Sequence, residues 1–173
     1  MYMELFKMGY ITIPLEGKNP ARGVAGWSKN GWATDGVPEE EVERFERDYP
    51  LDKFGIGLVA GPASNNTIWA DLDSVDDHLS AIFPKSPLER VGMRGRGGLF
   101  TNLHNIQSCN ASRPNQNILL DPSEKEDEGI EFRGTGLYMA IPPTIHPVTQ
   151  KPYYWVGEAI ENFNPEHHPA LLP

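Results

Sequence analysis

The sequence predicts an α+β fold in which strands outnumber helices. Two observations carry this. Short apolar runs with period-two alternation recur along most of the chain, and only one segment shows a sustained helical stripe. No internal repeat is visible. With 173 residues, 39% of them hydrophobic and 23% charged, the chain has the size and composition of one globular domain with a substantial core.

Residues 2–8 read as a short helix with Leu5 and Met8 on one side, and Gly9 suits its left-handed end. Residues 10–15 read as a strand, because Ile11 and Ile13 alternate with other residues. Residues 16–38 are rich in Gly, Pro, Asn and Trp and read as a long loop, of the kind that is usually functional or mobile. Pro38 opens the clear helix. Glu39, Glu40 and Glu41 complement the positive end of its dipole, and Val42, Phe45 and Tyr49 form its apolar stripe. Residues 55–60 and 67–72 read as strands joined by a turn at 61–66. Residues 75–82 read as a short helix. Residues 89–94 and 99–105 read as a strand pair around the turn 95–98, and residues 110–117 and 121–128 as loops. Strands follow at 130–133, 137–141 and 153–156. The expected domain is 1–160, with 161–173 starting a linker.

The formal net charge is -9, whereas a protein that only coats nucleic acid would be basic. The charge is uneven. Residues 35–53 hold eight acids and three bases, or -5, while residues 89–113 hold four arginines (Arg90, Arg94, Arg96 and Arg113) against Glu89, or +3. Cys109 is the only cysteine, which excludes an intrachain disulfide and a Cys-rich zinc site. The first residues lack a basic stretch followed by an apolar one, and no apolar run has membrane-spanning length, so the expected compartment is the cytoplasm.

Three features carry chemistry. Asp71 and Asp73 follow the apolar run Ile68, Trp69 and Ala70, and alternate strand residues share a face. Two carboxylates this close repel each other unless a cation lies between them, and magnesium favours such oxygen ligands. The other reading is a loop-capping pair heading the helix at 75. Glu131 and Arg133 share a face in the same way, either completing a three-carboxylate site beside a phosphate-binding arginine or forming a surface ion pair. Arg94, Arg96, Gly97 and Gly98 combine local positive charge with a backbone that phosphate can approach, or else form a hairpin turn.

The order of these pieces resembles the bifunctional primase/polymerase N-terminal domain of the archaeo-eukaryotic primase superfamily, found in phage and plasmid replication proteins. The likeness runs from about Gly9 to Trp155. It takes in residues 9–15, Gly17-Lys18-Asn19-Pro20, Gly26-Trp27, residues 56–62, and Asp71-Leu72-Asp73. Its most distinctive stretches are Gly129-Ile130-Glu131-Phe132-Arg133-Gly134, residues 138–147, and Tyr153-Tyr154-Trp155.

The resemblance implies an RRM-like antiparallel sheet bearing the active site, joined to an N-terminal α/β module, the archaeo-eukaryotic primase fold. It implies template-directed nucleotidyl transfer, as DNA polymerase or primase, with two Mg2+ or Mn2+ ions held by Asp71, Asp73 and Glu131. The implied partners are dNTPs or NTPs, single-stranded or primed DNA, and a helicase region in the same or a partner chain, in a bacterial or archaeal host. Arg94, Arg96, Gly97, Gly98, Asn102 and Arg133 would bind nucleotide, and Lys18 and Trp27 would contact DNA. One departure matters. The family places a histidine just after its double glycine, but here Leu99 and Phe100 follow Gly98. His104 is the nearest histidine, so either His104 serves by a shift along the strand or the histidine is lost. Two alternatives therefore stand beside the polymerase: a weak or inactive nucleotide- or DNA-binding module of the same fold, and a metal-dependent nuclease.

Overall fold

The computed structural model describes residues 1–24, 26–73, 85–91, 95–103 and 129–170, and for Asp73 and residues 129–130 the backbone alone. The predicted helix at 75–82, the loops at 110–117 and 121–128, and Arg94, His104 and Cys109 lie outside the described residues. The fold is mixed helix and antiparallel sheet.

Helix α1 (Tyr2–Lys7) leads through Gly9, at φ 82°, into strand β1 (Thr12–Glu16). The segment expected as one long loop is more structured than its composition suggests. It contains the short strand β2 (Asn19–Pro20), a 3-10 turn at Trp27–Asn30 and helix α2 (Trp32–Asp35). Trp27 and Trp32, both buried, anchor it to the core. Helix α3 (Glu39–Asp48) starts after Pro38 as predicted and buries Val42 and Phe45. Strands β1, β2, β3 (Gly55–Val59) and β8 (Tyr138–Ile141) make a four-stranded sheet in the order β2-β1-β3-β8.

The second sheet holds β4 (Thr67–Asp73), β5 (Leu88–Val91), β6 (Arg96–Thr101), β7 (Gly129–Arg133) and β9 (Tyr154–Gly157), in the order β7-β4-β6-β5-β9. Strands adjacent in sequence, β3 with β4 and β7 with β8, are thus divided between the sheets. One face of β4 looks toward the first sheet. Trp69 is fully buried there and its Nε1 donates to the Leu58 carbonyl at 3.2 Å. On the opposite face, Ile68, Ala70, Leu72 and Phe100 form a second, smaller core with Phe132.

Two expectations for residues 89–105 change. The β5–β6 hairpin pairs Val91 with Arg96, so residues 96–98 lie inside β6 rather than in a turn. The glycines serve close packing instead. A Cβ on Gly97 would meet the Met139 sulfur and stand 3.3 Å from Arg90 Nε, and one on Gly98 would stand 2.8 Å from the Phe100 ring. Strand β6 also ends at Thr101, not at 105, where its edge is taken over by a bridge to Ala170.

The segment expected to begin a linker at 161 is packed against the domain. Ile160 and Phe163 are buried, and Thr101 donates its backbone N–H to the Pro169 carbonyl at 2.9 Å. His168 Nε2 lies 2.7 Å from the Tyr10 hydroxyl. The aromatic and apolar residues of this stretch have a surface to cover, which a linker would not.

Candidate active site

Antiparallel register brings the carboxylates together. Asp71 on β4 faces Glu131 on β7 directly, and on its other side faces Gly97 on β6, which in turn faces Arg90 on β5. Directly opposed like charges destabilise a sheet unless they are compensated. Here two arginines compensate. Arg90 Nη2 donates to Asp71 Oδ1 at 3.0 Å, crossing the strand where Gly97 leaves room. Arg133 Nη2 lies 3.1 Å from Asp71 Oδ2 and 2.9 Å from Glu131 Oε2, and its Nε donates to the same Glu131 oxygen at 3.1 Å. Asp71 is only 3% exposed, and Arg90 and Glu131 are also buried.

Glu131 is electrostatically out of balance. Burial pushes its carboxyl above the ordinary carboxylate range and the Asp71 charge adds to this, while Arg133 pulls it back. Its Oε1 is buried with no hydrogen-bond partner among the described residues. Asp73 follows at the end of β4, opposite Gly129 and with the strand parity of Asp71. Hard oxygen donors on adjacent strands, one of them buried and unsatisfied, suit a divalent cation of the magnesium type. The residues that would hold it are Asp71 and Glu131, with Asp73 at the end of the same strand as Asp71. No group of three potential ligands occurs among the described side chains, which do not include that of Asp73.

The other expected site residues divide. Arg133 joins the cluster. Gly97 lies on the carboxylate face, but Gly98 and Arg96 fall on the opposite one by alternation, and Arg96 pairs there with Glu89 Oε1 at 3.2 Å. Asn102 is buried beyond the strand end, where its N–H donates to the Asn66 carbonyl at 2.8 Å. Phe100, in the slot after the double glycine, is fully buried in the smaller core. Trp27 is 6% exposed and packs edge-to-face on Tyr138, with centroids 5.7 Å apart. Lys18 sits on the exposed turn between β1 and β2, and its carbonyl accepts the Tyr138 hydroxyl at 2.9 Å.

Sequence reasoning counted Arg90 in the basic island without giving it a role. The structure makes it the second partner of Asp71, with its guanidinium over the Tyr153 ring at 4.7 Å. The available signal was Gly97, whose missing side chain is what lets an arginine reach across the strand.

A surface depression of about 350 Å³ lined by Trp32, Pro38, Glu41 and Arg44 belongs to the N-terminal part and includes none of these residues. No described helix is long and apolar enough to cross a membrane. A comparison with curated proteins returns no match. The family described as bifunctional DNA primase/polymerase, N-terminal, matches residues 2–173, and the chain belongs to that family, whose function is of the primase/polymerase type in replication.

Proposed function

We propose that this chain carries out template-directed nucleotidyl transfer, as a DNA polymerase or primase, by a two-metal mechanism in phage or plasmid replication. The observation that carries the reading is the Asp71–Glu131 pair, set opposite each other on adjacent strands with Glu131 Oε1 buried and unsatisfied. The order of the second sheet supports the RRM-like part of the reading. Taken in chain order, β7-β4-β6-β5 runs fourth, first, third, second, and every pairing is antiparallel.

When bound, divalent ions would compensate charge on the attacking and leaving oxygens of an in-line displacement at the triphosphate. The residues of the chain do the rest. Asp71, Glu131 and Asp73 supply the anionic oxygens. Arg90 and Arg133 hold Asp71 by one oxygen each, which fixes its carboxylate plane before any ligand arrives. Arg133 is about a quarter exposed and is the cation placed to meet a phosphate once carboxylate charge is neutralised. Phosphoryl transfer needs this positioning and charge compensation more than a protein nucleophile. Substrates are dNTPs or NTPs on single-stranded or primed DNA. The chain's acidic balance fits weak, salt-sensitive binding that a helicase region in the same or a partner chain would strengthen.

The burial of Phe100 favours one second reading, a nucleotide- or DNA-binding module without turnover. Primer extension with manganese and dNTPs, comparing the parent with Asp71→Ala, separates them. The polymerase reading expects the parent to lengthen the primer and the variant to lose about 100-fold or more in rate, as removal of a transition-state charge partner does. A parent that binds triphosphate but leaves the primer unchanged supports the binding module, and one that shortens the DNA supports a nuclease.

A further inference from the structure

The turn that follows β8 carries a histidine whose ring is fixed by the turn's own backbone. Residues 145–152 close on themselves: Ile145 bridges Pro152, and the His146 N–H donates to the Lys151 carbonyl at 2.8 Å. Inside the turn the backbone N–H groups of Val148 and Thr149 donate to His146 Nδ1 at 3.3 and 3.2 Å. A nitrogen that accepts from two N–H groups carries no proton, so the neutral ring bears its hydrogen on Nε2. His146 is therefore a fixed single donor.

Its neighbourhood is cationic. Burial holds its pKa below the ordinary histidine value, and the positive charges of Lys18 and Arg90 add to this. The turn between β1 and β2 that carries Lys18 reaches this one: a Cβ on the adjoining Gly17 would lie 3.7 Å from Pro147. A chain of contacts connects the ring to the carboxylates. The His146 ring packs edge-to-face on Tyr153 at 5.7 Å, Tyr153 lies under the Arg90 guanidinium at 4.7 Å, and Arg90 bonds Asp71 at 3.0 Å. The donor imidazole thus stands two side chains, Tyr153 and Arg90, from the carboxylate pair.

We infer that His146 and Lys18 form a phosphate-binding station for the nucleoside triphosphate, with His146 donating from Nε2–H. The inference rests on the nucleotidyl-transfer reading and deepens it. It puts a phosphate-contacting histidine in the turn after β8.

The test is equilibrium binding of dATP with Mg2+ to the 173-residue chain, by titration calorimetry, beside binding of a single-stranded oligothymidylate. His146→Asn keeps an oxygen where Nδ1 accepts the turn's N–H groups and withdraws the donor from the Nε2 position. Lys18→Gln removes the nearby charge from an exposed turn, so its folding is not at risk. The expected result is about a tenfold loss of dATP affinity in His146→Asn, a further loss with Lys18→Gln, and unchanged oligothymidylate affinity. Parent-like dATP affinity in both variants overturns the assignment. So does a loss confined to the oligothymidylate, which would make the station a strand contact. A parent that binds no dATP overturns the nucleotidyl-transfer reading, and this assignment with it.

Discussion

In the first sheet, β1 and β3 bury Ile13, Leu15, Ile56 and Leu58, whereas at comparable depth in the second sheet β4 and β7 bury Asp71 and Glu131 beside Arg90. Both pairs of strands are antiparallel and both sit against the core. What separates them is what the interior must be compensated for. Ile13 and Leu58 need only neighbours of the right volume. Asp71 needs two arginines, a glycine on the strand between, and an aromatic ring beneath one guanidinium. A fold that could bury Leu at position 71 but buries a charged cluster carries it for a purpose other than stability, because a buried ion pair gains little over a well-packed apolar core.

The comparison breaks most directly at Arg90. Arg90→Ala leaves Asp71 buried with Arg133 alone and is expected to cost about 3–5 kcal/mol. Leu58→Ala in β3 is expected to cost a similar amount, about 2–5 kcal/mol, by opening a cavity. The two losses differ in what repairs them. Adding Asp71→Asn to Arg90→Ala removes the uncompensated charge and should recover part of the loss, while the same substitution added to Leu58→Ala should recover none. Urea unfolding of the four variants reads this. No recovery in the Arg90 background would mean that the cluster is held by packing rather than by charge.

Much of this contrast was legible in the sequence, though unevenly. Alternation alone placed Asp71 with Asp73 and Glu131 with Arg133, and helix α3 was readable from Pro38 and its Val42–Phe45 stripe, because these depend on local period and capping. Pairing across strands was not readable. That β3 and β4 go to different sheets, that Arg96 faces away from Arg90, and that Gly97 lies within a strand depend on register, which is set by contacts remote in sequence. Gly97 and Gly98 read as a turn because glycine's turn signal and its close-packing signal are the same letter. The packing of the tail was hidden for a related reason. Its prolines and polar residues resemble a linker, while the surface that Phe163 and His168 cover is formed by residues as distant as Tyr10.

That tail sets up a second, smaller contrast, between two buried ionisable groups of opposite sign. Burial holds His168 neutral by pushing its pKa down to about 4, and raises Glu131. Between about 4 and the unfolded value near 6.5 the unfolded chain binds the extra proton, so the His168 contribution is fully present above that range. It is lost as pH falls through it, by of order 3 kcal/mol. Glu131 works the other way: its raised pKa makes the folded state bind more protons, so it favours folding as pH falls. His168→Gln keeps a hydrogen-bonding partner for Tyr10 and removes the titration. The expected outcome is that unfolding midpoints of parent and variant lie together at pH 7 and separate toward pH 4, the parent falling below the variant. Parallel curves would mean that His168 is solvated in the folded chain.

The smallest effect belongs to the ion pair that looks best on distance alone. Arg44 Nη2 lies 2.7 Å from Glu41 Oε2, shorter than either contact to Asp71. Yet both side chains are about a third exposed, at 27% and 36%, and they sit three residues apart on helix α3. Water and salt compete with such a pair, and holding two long side chains in place offsets most of the Coulomb gain. Glu41 also lies in the first turn of α3, where a carboxylate favours the helix dipole. Glu41→Gln is therefore expected to cost only about 0.5 kcal/mol, and less in high salt, read from the unfolding midpoint at low and high ionic strength. A cost near that of Arg90→Ala would erase the distinction between exposed and buried pairs. A small cost that salt reduces would leave burial, not distance, as what sets the worth of an ion pair in this domain.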